Sequence, residues 1–151
     1  LSNRDRANAT RIGVDLSASH FGQPYRLAAA SLHDILWDVI IKDGVAAAIA
    51  RCHDLRRTEP SAYDFDKDAT LVELGYTLYE ADRLTEARQV FEFALETFPQ
   101  SAYSYDGLAD IAMLDGDYET AIRHFETSLG LDPSNEYATR GLARGRQRLS
   151  Q

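Results

Sequence analysis

Few side chains in this 151-residue chain could do covalent or metal chemistry. Activation of a serine by a lysine one helical turn on requires Ser-x-x-Lys, and neither Lys42 nor Lys67 follows a serine by three. His20, His33, His53 and His124 form no His-x3-His pair and no His-Glu-x-x-His, so no ready set of metal ligands exists. His20-Phe21-Gly22 has the spacing of a strand-borne His-x-Gly, but it follows a predicted helix. Gly-x4-Gly-Lys and Gly-x-Gly-x-x-Gly phosphate loops are absent, and Gly141 and Gly145 fall within a predicted helix. Asp115, Asp117 and Glu119 around Gly116 resemble a calcium loop only loosely. A tight turn explains them better, because Gly and Asp tolerate its backbone angles. The single cysteine, Cys52, lies on an apolar helix face and reads as a small core residue. No catalytic residue, metal ligand or cofactor is expected, and what is left is noncovalent recognition.

The elements that would position recognition residues show themselves as a repeat. At an offset of 34 the chain matches itself: Leu74 on Leu108, Ala87 on Ala121, Phe91 on Phe125, Leu95 on Leu129 and Pro99 on Pro133. One unit reads Leu71-x2-Leu74-Gly75-x2-Leu78, Ala87-x3-Phe91, Pro99. The next reads Tyr105-x2-Leu108-Ala109-x2-Ala112, Ala121-x3-Phe125, Pro133. Both resemble tetratricopeptide repeats, which implies pairs of antiparallel helices. Small residues (Gly75, Ala109, Ala87, Ala121, Ala94, Ser128) then mark close helix approach, large ones fill the space between, and a proline ends each second helix. Leu71 replaces the usual Trp and Ala112 the usual aromatic, so the second unit is expected to pack less tightly.

A weaker unit precedes these two, with Leu32, Ile35, Leu36, Val39 and Ile40, then Gly44, then Val45, Ala48, Ile49, Cys52 and Leu55, then Pro60. Pro60 lies 39 residues before Pro99, which makes Ser61 to Asp66 a short insertion. After Pro133 one more helix is predicted, with Leu142 and Leu149 inward and Arg140, Arg144, Arg146 and Arg148 outward, as a capping helix requires. The expected fold is therefore all-α: a tetratricopeptide-like helical hairpin stack, or α-solenoid, over 26–151. It comprises a degenerate unit 29–62, units 68–101 and 102–135, and a C-terminal capping helix 136–151. Trp37 and Ile41 make a second apolar stripe on the first repeat helix, to be covered by a helix over 5–21, by a missing domain or by a second copy.

Composition fits such a stack. Hydrophobic residues make up 44% and charged residues 26%, and no apolar run approaches the roughly 20 residues needed to span a bilayer. From Glu59 to Asp132 there are 17 acidic and 4 basic residues, a net of −13, which argues against a nucleic-acid partner.

Residues 1–25 lie outside the repeats. Leu1-Ser2-Asn3 reads as the exit of a strand, a helix over 5–21 follows, and Phe21-Gly22-Gln23-Pro24-Tyr25 closes it. This run resembles the closing strand and helix of serine hydrolases of the beta-lactamase and penicillin-binding-protein type. Tyr63-Asp64-Phe65, Leu74-Gly75-Tyr76 and Ser101-Ala102-Tyr103-Ser104-Tyr105-Asp106-Gly107-Leu108 are similar to phrases in the tails of such proteins. The resemblance implies that 1–25 is a remnant of a hydrolase domain and that 26–151 is its tail.

In a tetratricopeptide stack the first helix of each unit lines a concave groove. The side chains expected to point into it are Tyr76 and Tyr79, then Tyr103, Asp106, Asp110 and Met113, then Tyr137, Arg140 and Arg144. Tyrosines offer large contact area with a polar tip, which suits peptide recognition. The Lys and Asn with which chaperone-binding tetratricopeptide domains hold a terminal carboxylate are replaced here by Val72, Tyr76 and Gly107. The function expected is a non-catalytic, protein- or peptide-binding scaffold whose partner could be its own hydrolase domain or, through self-association, a second copy. The alternative is an accessory part of a hydrolase that shapes or covers its active site. The compartment is unknown; cytoplasm and periplasm both stay open.

Overall fold

The computed structural model describes residues 30–151; the expectations for 1–25, for the helix over 5–21 and for the start of the first unit fall outside them. Among the described residues there are seven helices and no strand. They are α1 (Leu32–Asp43), α2 (Val45–Thr58), α3 (Ala69–Glu80), α4 (Leu84–Thr97), α5 (Ala102–Asp115), α6 (Tyr118–Leu131) and α7 (Glu136–Leu149). None is long and apolar enough to cross a membrane. The pairs α1–α2, α3–α4 and α5–α6 pack as hairpins, and α1, α3, α5 and α7 also touch in series, as a stack of helical pairs requires.

Local sequence sets the helix ends. Ser31 opens α1 with a capping box, its Oγ accepting from the Asp34 N–H at 3.1 Å while Asp34 accepts from the Ser31 N–H. Ser101, Asp117 and Asn135 cap α5, α6 and α7 with their side-chain oxygens. The turns inside the two regular hairpins are built alike. Arg83 N–H donates to the Leu78 carbonyl at 3.0 Å, and 34 residues later Asp117 N–H donates to Ala112 at 2.9 Å. Both turns need one left-handed residue. Gly116 supplies it at φ 78, and Asp82 takes the same place at φ 58. The Asp115-Gly116-Asp117 segment is thus a helix-joining turn.

Two phenylalanines set the spacing of the stack. Phe91, on α4, is fully buried with its ring between Gly75 of α3 and Gly107 of α5. Phe125, on α6, is fully buried against Ala109 of α5 and Gly141 of α7. Each ring therefore fills the crevice between the first helix of its own hairpin and the first helix of the next, and the small residues leave room for it. Cys52 is buried in the core beside Leu55 and Ala48, and burial pushes its thiol above the usual range.

Three expectations need correction. The second hairpin is not loosely packed: nine of the fourteen residues of α5 are buried, more than in any other helix, because α5 is flanked by α3, α4, α6 and α7. Leu149 does not point inward; it is the last residue of α7, is 51% exposed and does not join the Phe125 cluster. The Trp37–Ile41 stripe divides. Trp37 packs on the core with the Arg83 guanidinium 5.9 Å from its ring centroid, and Ile41 alone stays exposed.

Candidate functional site

Helices α3, α5 and α7 carry the nine residues expected in the groove, but not in the roles their types suggested. Asp106 is 1% exposed and Asp110 is 6% exposed, so neither points outward into solvent. They sit one turn apart on α5, and residues of the neighbouring first helices cover them. The Tyr137 hydroxyl, from α7, donates to Asp110 Oδ2 at 2.5 Å. Asn135, at the start of α7, donates from Nδ2 to Asp106 Oδ2 at 2.7 Å and to Ser128 Oγ at 3.1 Å. Its Oδ1 meanwhile caps α7 by accepting from the Ala138 N–H. One amide therefore ties together α5, α6 and the start of α7.

The electrostatics follow from that burial. Desolvation pushes both carboxyls above the usual carboxylate range, against hydrogen bonds from Ser128 and Asn135 to Asp106 and from Tyr137 to Asp110. Asp106 Oδ1 is buried and accepts no hydrogen bond among the described residues. Burial also holds the Tyr76 and Tyr137 phenols far above their ordinary range, and Asp110 opposes their ionisation further.

The tyrosines divide by exposure. Tyr76 is half-buried, its ring edge-on to Phe91 at 5.1 Å and its hydroxyl 3.5 Å from the Tyr103 carbonyl, so packing is its first task. Tyr79 lies beside it with ring centroids 6.4 Å apart. Tyr103 and Tyr137 are 57% and 42% exposed, and Arg140 and Arg144 are exposed on α7. Two open clefts share Arg144. One, of about 500 Å³, is lined by Tyr79, Asp110, Met113, Leu114, Tyr118, Arg144, Gln147 and Arg148. The other, of about 400 Å³, is lined by Tyr137, Arg140, Ala143 and Arg144. Leu114, Tyr118, Gln147 and Arg148 were not anticipated from sequence, although Arg148 continues the four-residue spacing of Arg140 and Arg144. Asn135 was also missed, although it stands 34 residues after Ser101, another helix cap.

The histidines face different neighbours. His53 packs edge-on to Phe93, His124 lies against Tyr105, and His33 faces Thr77.

Comparison with known proteins agrees with this geometry. The tetratricopeptide repeat family model matches residues 102–135. Cellulose synthase operon protein C of Komagataeibacter sucrofermentans is 35% identical over 68 residues, and its counterpart in Komagataeibacter xylinus is 35% identical over the same length. That stretch is 45% of this chain but 5% of each relative's length. Neither relative shows the serine-hydrolase resemblance of residues 1–25 and of the tail that follows. Among solved structures, the first tetratricopeptide domain of Spaghetti (RPAP3), bound to an HSP90 peptide, superposes with a TM-score of 0.56 at 16% identity. The match covers 80% of this chain and 91% of that one. Residues 102–135 are thus a tetratricopeptide repeat, set in an all-helical, tetratricopeptide-like stack.

Proposed function

We propose that the chain is a non-catalytic scaffold that binds a protein or peptide along the face made by α3, α5 and α7. The observation that carries this reading is the set of aromatic and cationic side chains left exposed there. Tyr137, Arg140 and Arg144 line open clefts and Tyr103 is exposed on α5, while the Asp110 carboxylate is already engaged by the Tyr137 hydroxyl. Rigid aromatic rings supply contact area at low entropic cost, and a helical stack holds them in place. The solved tetratricopeptide domain of similar fold was captured with a peptide, which supports a peptide-binding use of this fold here.

Tyr79, Tyr103 and Tyr137 act as anchors, with Met113 as adaptable apolar surface and Arg140 and Arg144 setting orientation. Tyr76, Asp106 and Asp110 form the floor that keeps the anchors in position. Capture of partners from the source cell by the immobilised chain, repeated with Tyr79→Ala plus Tyr103→Ala, tests this. Specific capture lost in the variant supports the reading, and capture that is indifferent to both changes refutes it.

A second reading, an accessory part of a serine hydrolase that shapes or covers its active site, rests on the phrases within residues 1–25 and on those at 63–65, 74–76 and 101–108. It requires a hydrolase domain that binds this stack. Titration with such a domain carrying a Ser-x-x-Lys site separates the two. The chain alone should leave nitrocefin and nitrophenyl esters at background, since it lacks a serine with a positioned base.

A further inference from the structure

The cleft at the C-terminal ends of α3, α5 and α7 differs in charge from the rest of the surface. Residues 59–132 carry a net −13, so the field over most of the stack repels anions. At this cleft the sign reverses. Arg144 and Arg148, one turn apart on α7, line its wall, and neither has a carboxylate within salt-bridge distance among the described residues. The other arginines of this helix that form pairs are engaged elsewhere: Arg140 with Glu136 at 3.3 Å, and Arg146 with Glu126 at 2.8 Å.

Asp110 borders the same cleft, but it is 6% exposed and already accepts the Tyr137 hydroxyl, and as one carboxyl against two guanidinium groups it leaves the lining net positive. Met113, Leu114 and Tyr118 line the same cleft, and Leu114 is 60% exposed. Two guanidinium groups and three apolar or aromatic side chains lining one cleft match a chain that alternates carboxylates with apolar side chains. Guanidinium groups take carboxylates bidentately, and apolar area contributes only if the charges beside it are matched.

We infer that this cleft binds an acidic peptide segment of a partner protein, its Asp or Glu carboxylates on Arg144 and Arg148 and an intervening apolar side chain on Met113, Leu114 and Tyr118. This deepens the scaffold reading and rests on it. It also places recognition on the last helix, away from positions 72, 76 and 107. The floor of the groove contributes by orienting that helix: Asn135 and Tyr137 fix α7 on Asp106 and Asp110, and so fix where its arginines stand.

The test uses the full chain and two fluorescein-labelled heptapeptides, one alternating glutamate with leucine and the other with lysine in place of each glutamate, followed by fluorescence anisotropy. The acidic peptide should bind, more weakly as salt rises, and the basic one should not. Arg144→Ala with Arg148→Ala should weaken binding about tenfold or more, since each removes a charge-assisted bond. Leu114→Ala should weaken it a few-fold, and Arg146→Ala, whose side chain pairs with Glu126, should leave it unchanged. All four positions are exposed, and circular dichroism checks that the helices persist.

Equal binding of both peptides, binding only of the basic one, or survival of binding in the double arginine variant overturns the inference. If binding in those cases still depends on Tyr79 and Tyr103, the scaffold reading stands without it. Failure of both peptides to bind also overturns the inference and leaves the scaffold reading to the capture experiment. Should the chain sediment as a dimer that the double arginine variant dissociates, the occupant is the acidic surface of a second copy and the inference is again wrong.

Discussion

Gly107→Ala probes the stack at its tightest point. A methyl at this position would lie 2.3 Å from Phe91 Cζ and 2.5 Å and 2.6 Å from Cε2 and Cε1. Carbon atoms prefer about 3.5 to 4.0 Å, so the ring must move by more than an ångström. It has little room to do so, because on its other face a Cβ at Gly75 would already come within 2.5 Å of Cε1. Overpacking of this kind costs about 1 to 3 kcal/mol, and a fully buried ring held from both sides places the cost near the upper end. Alanine's better helix propensity returns about 1 kcal/mol. The net expectation is a loss of about 2 kcal/mol, which lowers the Tm of a domain this size by about 4 to 8 °C. Urea unfolding followed at 222 nm measures it, with Gly130→Ala as control. Gly130 lies in α6 with nothing within 4 Å of its would-be Cβ, so the same substitution there should stabilise by up to about 1 kcal/mol. Phe91→Leu in the Gly107→Ala background should recover part of the loss, a coupling that a double-mutant cycle reads directly. If Gly107→Ala is as harmless as Gly130→Ala, the ring does not set the spacing between hairpins.

Two further predictions address the turns and the buried acids. Asp82→Gly should stabilise the fold by about 1 kcal/mol, and Gly116→Ala should destabilise it by a similar amount, because both residues occupy the left-handed region; thermal melts of the two variants give the comparison. Asp106 has its folded-state pKa raised by burial, so folding favours its protonated form. Its contribution to stability is therefore most favourable below the unfolded value of 3.8 and is lost as pH rises through the folded value. Asp106→Asn removes that charge while keeping an acceptor for Asn135. The variant should melt above the parent at pH 7, and the gap should narrow as pH falls toward 3.8. A gap independent of pH would show that the Asp106 charge does not carry the penalty.

The repeat was legible because its cause is local and recurrent. Phe91 and Phe125, Gly75 and Ala109, and Pro99 and Pro133 recur at 34 because each hairpin solves the same packing problem with the same residue sizes. The Asp115-Gly116-Asp117 turn was readable for the same reason, since a turn depends on its own few residues. The groove was only half legible. Four-residue spacing put Asp106 and Asp110 on one face of α5, but residue type suggested solvent, and what buries them comes from other helices. Tyr137 reaches Asp110 from 27 residues away and Asn135 reaches Asp106 from 29. No periodicity within α5 encodes those contacts. The same holds for Trp37, which joins the core through Arg83 and its neighbours rather than forming a free stripe with Ile41.

The central claim is that recognition lies on the face of α3, α5 and α7. Isothermal titration of a captured partner into three forms of the chain tests it most directly: the parent, Tyr79→Ala with Tyr103→Ala, and Ile41→Ser. Ile41 is 56% exposed on α1 and serves as the competing apolar site. Loss of two aromatic anchors should weaken binding by at least about a hundredfold while helical content is kept, and Ile41→Ser should leave the affinity unchanged. The reverse pattern, full affinity in the tyrosine pair and loss at Ile41, would place the partner on α1 and contradict the account.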